Sequence, residues 1–278
     1  MKQELLPQEL GLSSIEYKKA SSILTEGKGF LAGYDYSLNP YSGCTFGCVY
    51  CYAAFFSRSK PKMDNWGKWL EVKENALALL IKKRKKLLTG KSIYLSSVTD
   101  PYQPIERKLE LTRSLLQELL FHQPKLVIQT RSPLIVRDID LLLQFEDVQV
   151  NMTVTTDDER VRKVFEPYCP SNQKRLEAIA QLQKAGIPSC ITITPMLPVK
   201  DANQFATQLK ATGVKRFIIQ PFHSEKGKFV AGTKKEATDL LQELNWDDKK
   251  YFSTLEVLHN VLPQTGVGKD GFNPEYFS

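Results

Sequence analysis

The chain has 278 residues, 42% hydrophobic and 25% charged, and carries a net charge of +7, with an isoelectric point near 9.0. That length buries a large core, as one α/β barrel or as two small domains, and the mildly basic balance is a weak pointer to anionic partners. No uncharged apolar run approaches the ~20 residues of a membrane span, the opening MKQELLPQEL lacks the apolar stretch of a secretory signal, and neither a fixed-period repeat nor a Pro/Gly/Ser-rich linker divides the chain, so a cytoplasmic protein is expected.

In chain order, residues 1–33 read as an N-terminal extension, 34–222 as the core domain and 223–278 as a helical C-terminal extension. The segment NPYSGCTFGCVYCY, Asn39 to Tyr52, precedes the first repeating unit. Beyond it, short β-rich runs alternate with amphipathic helical stretches. Strands are predicted over Leu70–Lys73, Ser92–Ser97, Leu126–Thr130, Val148–Val154, Cys190–Thr194 and Arg216–Gln220. Helices are predicted over Ala76–Leu88, around Leu111 to Leu120, over Leu134–Phe145, over Arg175–Lys184 with Gly186 as C-cap, and around Phe205–Leu209. The stretch Lys234–Leu262 adds one or two helices, and Thr265–Ser278 reads as irregular. This rhythm predicts an α/β fold with parallel strands and right-handed crossovers, a partial (βα)6 TIM-like barrel of about six units rather than eight. The run Lys82-Lys83-Arg84-Lys85-Lys86 closes the first of these helices. It reads as a solvated helix end whose cations complement the dipole, the alternative being a nucleic-acid patch.

Five cysteines, three of them within eight residues, do not suggest a disulfide framework. Cys44, Cys48 and Cys51 form C-x3-C-x2-C. A 4Fe-4S cube takes one thiolate at each iron, so three cysteines hold three corners and leave the fourth iron open to a chelating cofactor. Gly43 and Gly47 allow the bends such a loop needs. The alternative is a zinc site of three cysteines and a histidine. Zinc ligands come more often as two separated pairs, and His122, His223 and His259 all lie far along the chain from the motif.

The same spacing resembles the radical S-adenosylmethionine (SAM) superfamily, and further segments resemble its spore-photoproduct-lyase-like branch: DYSLNPYSGCTFGCVYCYA from Asp35, SSVTDPYQPIE from Ser96, TRSPLIVRDIDLL from Thr130 and MTVTTDDERVRKVFEP from Met152. The resemblance runs from about Asp35 to Pro198. It implies a 4Fe-4S cluster on Cys44, Cys48 and Cys51, and S-adenosyl-L-methionine chelating the open iron. An external electron donor, reductive cleavage to a 5'-deoxyadenosyl radical and hydrogen abstraction from a large substrate follow from it. It also implies that Tyr50 packs on the adenine and that Tyr52 takes part in radical transfer. Thr99 and Asp100 would form a loop near the cofactor. Arg131 would reach its carboxylate, where a guanidinium can act in a bidentate manner. Thr153 and Thr155 would lie along its amino and carboxylate end, and Leu197 would pack on the adenine.

One departure stands out. The true lyases carry a hydrogen-donating cysteine at the position that aligns with Ser97, and a serine O–H bond is too strong for that task. Cys169 is then either an alternative donor or an incidental loop residue, while Cys190 reads as a buried core thiol. Of the aromatic residues crowding the motif, Tyr34, Tyr36, Tyr41, Phe46, Phe55 and Phe56, most read as core with some covering the cluster. Asp157, Asp158 and Glu159 read as a helix start. His122 and His259 read as surface or helix-end residues, and His223 is a candidate to face substrate. Three functions follow: modification of a ribosomally made precursor peptide delivered by a small partner protein, as in spliceases and maturases; nucleic-acid lesion repair or modification; and a non-enzymatic cysteine-ligated metal protein.

Overall fold

The computed structural model describes residues 6–57, 59–222, 235–268 and 272. The strands are β1 Glu9–Leu10, β2 Ser13–Lys18, β3 Leu24–Glu26, β4 Tyr36–Leu38, β5 Tyr41–Ser42, β6 Trp69–Lys73, β7 Ser92–Leu95, β8 Lys125–Thr130, β9 Val148–Thr153, β10 Ser189–Met196, β11 Arg216–Pro221 and β12 Gln264–Val267. The α-helices are α1 Lys60–Asp64, α2 Ala76–Ile81, α3 Glu106–Leu109, α4 Leu111–His122, α5 Ile139–Leu142, α6 Glu159–Phe165, α7 Asn172–Lys184, α8 Ala202–Ala211, α9 Lys235–Glu243 and α10 Asp248–Val261.

The main sheet runs β12-β11-β10-β9-β8-β7-β4-β3. Every pairing in it is parallel except the edge pair β3–β4. The sheet ends at β12 and β3, so it is an open, barrel-like wall rather than a closed barrel. A second sheet, β1-β2-β6-β5, carries the start of the cysteine motif on β5. The six expected strands are all present. The C-terminal extension is more than helical, because β12 joins β11 in parallel where an irregular tail was expected. The N-terminal extension is also built into the sheets, β2 pairing with β6 and β3 with β4.

Alternation along the strands separates two faces. One carries Ile93, Leu95, Leu126, Ile128, Val150, Met152, Ile191 and Ile193 into a core with Leu115, Leu119, Ile179, Leu182, Phe205 and Leu209 of the covering helices. The other face holds Tyr94, Val127, Cys190 and Ile218, packed with Leu31, Tyr34 and Phe272. Helix ends follow local chemistry. Ser171, Asp158, Asp201 and Asp247 each accept backbone N–H bonds as N-caps of α7, α6, α8 and α10. Two expected long helices are shorter. After α2 the chain tightens into a 3-10 turn over Lys82–Lys85, where in a continued helix Lys82 would stand against the like charges of Lys85 and Lys86. The stretch expected as one helix from Leu134 opens as a 3-10 turn, Pro133–Asp138, before α5. Its Ser132 side chain accepts from Leu134 N, and Arg137 turns its guanidinium onto Asp138 and the Glu106 carbonyl.

Candidate active site

The cysteine loop sits where the second sheet meets the C-terminal ends of the main strands. β5 leads directly into Gly43, whose positive φ brings its Cα so close to Trp69 that an added Cβ would lie 2.7 Å from the Trp69 carbonyl oxygen. Gly47, also at positive φ, packs on Gly67. These are the bends the motif asked of glycine. Thr45 donates both its N–H and its hydroxyl to the Gln103 side-chain oxygen, at 3.0 and 3.1 Å. Cys44 and Cys48 share an apolar pocket with Phe46, Ala53, Ala54, Trp66 and Cys169, against which Cys51, Tyr50, Trp69 and Val98 pack. All five cysteines of the chain are free. Burial pushes the Cys44 thiol well up and the Cys51 thiol up to about 12. Cys48 is shifted down, because the Cys169 thiol bonds to it and Arg131 lies near.

The Cys169 sulfur lies 3.6 Å from that of Cys48. Cys190 is fully buried on the sheet, as a core thiol should be.

The loop residues after β7 build the site's frame. Thr99 donates to the Gly43 carbonyl at 2.6 Å, tying this loop to the cysteine loop. Asp100 is buried and accepts from Tyr102 N, the Thr130 hydroxyl and Arg131 N, at 2.9, 2.8 and 2.7 Å. Burial raises its carboxyl, with those donors opposing. Its polar atoms therefore aim Arg131 rather than stand open.

Tyr50, Arg131 and Thr155 converge on a residue the motif reading passed over, Glu166, at the C-cap of α6. Its Oε1 accepts from the Tyr50 hydroxyl and, at 3.0 Å, from the Thr155 hydroxyl, and it lies 3.5 Å from Arg131 Nε. Its Oε2 accepts from Arg175, itself fully buried. Arg131 Nη2 donates to the Tyr50 oxygen at 3.0 Å, and the guanidinium carbon stands 5.8 Å from that ring's centroid. Burial pushes the Glu166 carboxyl up, and the guanidiniums of Arg175 and Arg131 more than reverse this, holding it down at about 2. Arg175 also donates to the Thr153 carbonyl at 3.1 Å, so Thr153 belongs to the same assembly.

The inner face of the sheet continues the polar lining. The Tyr94 hydroxyl donates to Gln129, whose amide donates to the hydroxyls of Thr153 and Thr192, at 2.7, 2.6 and 3.0 Å. Gln149 donates to Asn151, and Arg216 to Gln149. Parallel sheets usually bury apolar residues on both faces, whereas here buried polar residues alternate through β8, β9 and β10 and bond to one another. Gln at the fourth core position of LVIQT and Asn in VQVNMT are the signal that could have found this lining.

At the mouth, the Tyr52 hydroxyl donates to the Ser97 carbonyl oxygen. Asn39 fixes Ser97 by accepting from Ser97 N and Val98 N at 2.9 and 3.1 Å and donating to the Ser97 hydroxyl at 3.3 Å. Tyr34, Tyr41 and Phe46 are buried as expected, but Phe55 and Phe56 are 40% and 64% exposed, and Phe56 packs edge-on against Tyr52. Leu197 is fully buried among Val49, Phe165 and Tyr50. His122 ends α4 but is buried, not on the surface, while His259 is exposed near the end of α10. His223 lies outside the described residues.

The donor set fits the expected groups. Three free thiols share one pocket, although among the described residues no three Cys, His, Asp or Glu groups are already gathered to hold a metal ion. The buried Nε of Arg131 makes no hydrogen bond and faces Glu166 at 3.5 Å, and its guanidinium is a cationic donor suited to an anionic group such as a carboxylate. None of the described helices is long and apolar enough to cross a membrane.

An uncharacterised protein of Methanocaldococcus jannaschii is 38% identical over 168 residues, 60% of this chain and 62% of that one, so the chain spans under two thirds of this relative's length. A radical SAM Nα-GlyT isomerase of Pseudomonas phage M6 is 26% identical over 65% of this chain and 38% of its own. Spore photoproduct lyase, solved in complex with a dinucleoside spore photoproduct, superposes with a TM-score of 0.62 at 15% identity, over 95% of this chain and 86% of that chain. The model of the radical SAM superfamily matches residues 38–207, more than half of the chain. With its three thiols in one pocket and the spore photoproduct lyase fold around them, the chain belongs to the radical SAM superfamily of enzymes.

Proposed function

We propose that this enzyme binds a 4Fe-4S cluster through Cys44, Cys48 and Cys51 and S-adenosylmethionine beside it, and modifies a nucleic-acid base held at the mouth of the sheet. When bound, the cluster and cofactor supply one-electron chemistry that ends in removal of a hydrogen atom from substrate. The protein's part is to bind, orient and exclude water. Arg131, whose Nε faces the Glu166 carboxylate at 3.5 Å and whose Nη2 bonds Tyr50, would turn the rest of its guanidinium to the cofactor carboxylate, the Tyr50 ring would cover the adenine, and Thr153 with the lining from Gln129 to Thr192 would orient the remainder.

The observation that carries the substrate reading is the mouth itself. Tyr52 bonds half-buried Ser97 and packs against the exposed ring of Phe56, and the neighbouring Phe55 is exposed as well. Exposed aromatic faces hold bases by stacking, worth about 1–3 kcal/mol per base. The likeness in fold to spore photoproduct lyase, solved with a dinucleoside spore photoproduct, supports the same class. In this reading Tyr52 passes a hydrogen atom between substrate and a donor, and Cys169, 3.6 Å from Cys48, is a candidate thiol for that donor.

A precursor peptide, delivered by a small partner protein, is the second reading. It is favoured by the charges around the mouth: Lys60 and Lys62 are paired with Asp64 and Glu71. The dense basic run Lys82–Lys86 precedes β7 and so lies toward the N-terminal ends of the strands, away from the cysteines. The test is anaerobic reconstitution, reduction, and 5'-deoxyadenosine formation with single-stranded oligonucleotides or peptides added. Oligonucleotide stimulation with binding that weakens steeply in salt supports the first reading. Stimulation by peptide alone replaces it with the second, and a zinc-loaded protein that forms no deoxyadenosine defeats both.

A further inference from the structure

The site holds a buried acid that the family motifs do not assign. We propose that Glu166 is a positioning residue that sets Arg131 and Tyr50 in the geometry that receives S-adenosylmethionine. The proposal rests on the cofactor reading above and goes beyond it in assigning the orientation of both groups to one carboxylate.

Four side chains meet on this carboxylate. Tyr50 and Thr155 donate to Oε1, Arg175 donates to Oε2, and Arg131 Nε stands 3.5 Å from Oε1. The Tyr50 hydroxyl donates to Glu166 and accepts from Arg131, so the phenol is fixed from both sides. The backbone around the acid is fixed as well. The Glu166 carbonyl accepts from Arg162 at 3.1 Å and from Cys169 N, also at 3.1 Å, and the neighbouring Phe165 carbonyl accepts from Val49 N at 2.9 Å, inside the cysteine motif. Arg175 is held in turn by the Pro170 and Thr153 carbonyls. Glu166 therefore joins α6, the cysteine loop, the end of β8 and the end of β9.

Charge gives the arrangement its direction. Two guanidiniums face one carboxylate, leaving one excess positive charge in a buried pocket beside Cys48. Arg175 uses its hydrogen-bonding groups within the protein, whereas Arg131 keeps Nε unbonded. Glu166 thus neutralises the inner cation and aims the outer one. An amide at this position still accepts hydrogen bonds but no longer balances Arg175. The two buried guanidiniums then repel, and Arg131 loses its fixed direction.

The experiment compares wild type, Glu166→Gln, Tyr50→Phe and Thr155→Val after anaerobic reconstitution. Iron content, thermal midpoint and the change in the electron-paramagnetic-resonance spectrum of the reduced cluster on titration with S-adenosylmethionine are read for each. Glu166→Gln should retain the wild-type iron content and need at least tenfold more cofactor for half of the spectral change. Tyr50→Phe should show a smaller shift in the same direction, and Thr155→Val the smallest. Wild-type titration curves in Glu166→Gln overturn the proposal. Should Glu166→Gln fail to fold, unchanged curves in both Tyr50→Phe and Thr155→Val overturn it, and weakened curves in either uphold it. A wild-type protein that takes up a cluster but gives no spectral response to S-adenosylmethionine overturns the cofactor reading, and this proposal with it.

Discussion

Two buried acid–guanidinium clusters in this protein use the same residue types for different ends. One centres on Glu166, beside the cysteines. The other centres on Glu106 and Asp138, both fully buried, where α3 and α4 meet the 3-10 turn after β8. Glu106 accepts from the Tyr41 hydroxyl and, at 2.8 Å, from Thr112 N, with Arg137 at 3.4 Å. Asp138 takes Arg113 and Arg137, both at 2.8 Å. These partners join elements of the scaffold to one another, and none is a candidate cofactor contact. The partners of Glu166 are the site. The electrostatics differ accordingly: burial dominates at Glu106 and raises its carboxyl, while two guanidiniums overcome burial at Glu166 and lower it. A buried ion pair alone says little about function; what it points at decides.

The largest effect available lies outside both clusters. Alanine at Cys44, Cys48 or Cys51 should abolish cluster assembly and all deoxyadenosine formation, measured by iron content and product analysis. A Cys51→Ala protein that still cleaves the cofactor refutes the ligand assignment. Next come the two acids. Glu106→Gln should lower stability by about 1–3 kcal/mol, the cost of disturbing a buried, charge-assisted set of hydrogen bonds, with cofactor affinity unchanged in the folded fraction. Chemical denaturation and cofactor titration of the same sample check both halves. If Glu106→Gln weakens cofactor binding as Glu166→Gln does, the two clusters do not divide the labour as described. Tyr41→Phe removes one donor to Glu106 and should cost about 1 kcal/mol, again without change in affinity.

How much of this was legible in the sequence follows from the physics of each feature. The six expected strands and the cysteine loop were legible because period and spacing are local signals. β12, β1 and β3 were not, since two- to four-residue strands are fixed by the sheet they join, and β2, though it alternates Ile15 and Tyr17 with Glu16 and Lys18, is one short run outside the repeating units. Arg131 was legible through its motif, whereas Glu166 lies 35 positions away and Arg175 further still, and only the fold brings them together. Which of the aromatic residues near the motif are core and which, like Phe55 and Phe56, are displayed was not legible, because hydrophobicity alone does not tell a covered ring from an exposed one. Thr99 and Asp100 were placed correctly at a strand end, but their polar atoms hold loops together, a division of roles that sequence position does not encode.

The finest test of the comparison is acid. A group whose carboxyl is lowered on folding stabilises the native state above its ordinary value and loses that contribution as pH falls through the lowered one. For Glu166 the window runs from about 4.5 down to about 2. Glu106 has the opposite sign. Its raised carboxyl makes the native state bind protons more readily than the unfolded chain, so its contribution grows as pH falls toward about 4.5. Between neutrality and pH 3, taken as roughly the middle of the acid range, Glu166→Gln should flatten the fall of the thermal midpoint relative to wild type, and Glu106→Gln should steepen it. Differential scanning calorimetry across a pH series reads both slopes. Two variants that both steepen the fall would show that burial governs both acids, two that both flatten it that the facing guanidiniums do, and in either case the distinction between a cluster that aims a cation and one that clamps helices would lose its electrostatic basis.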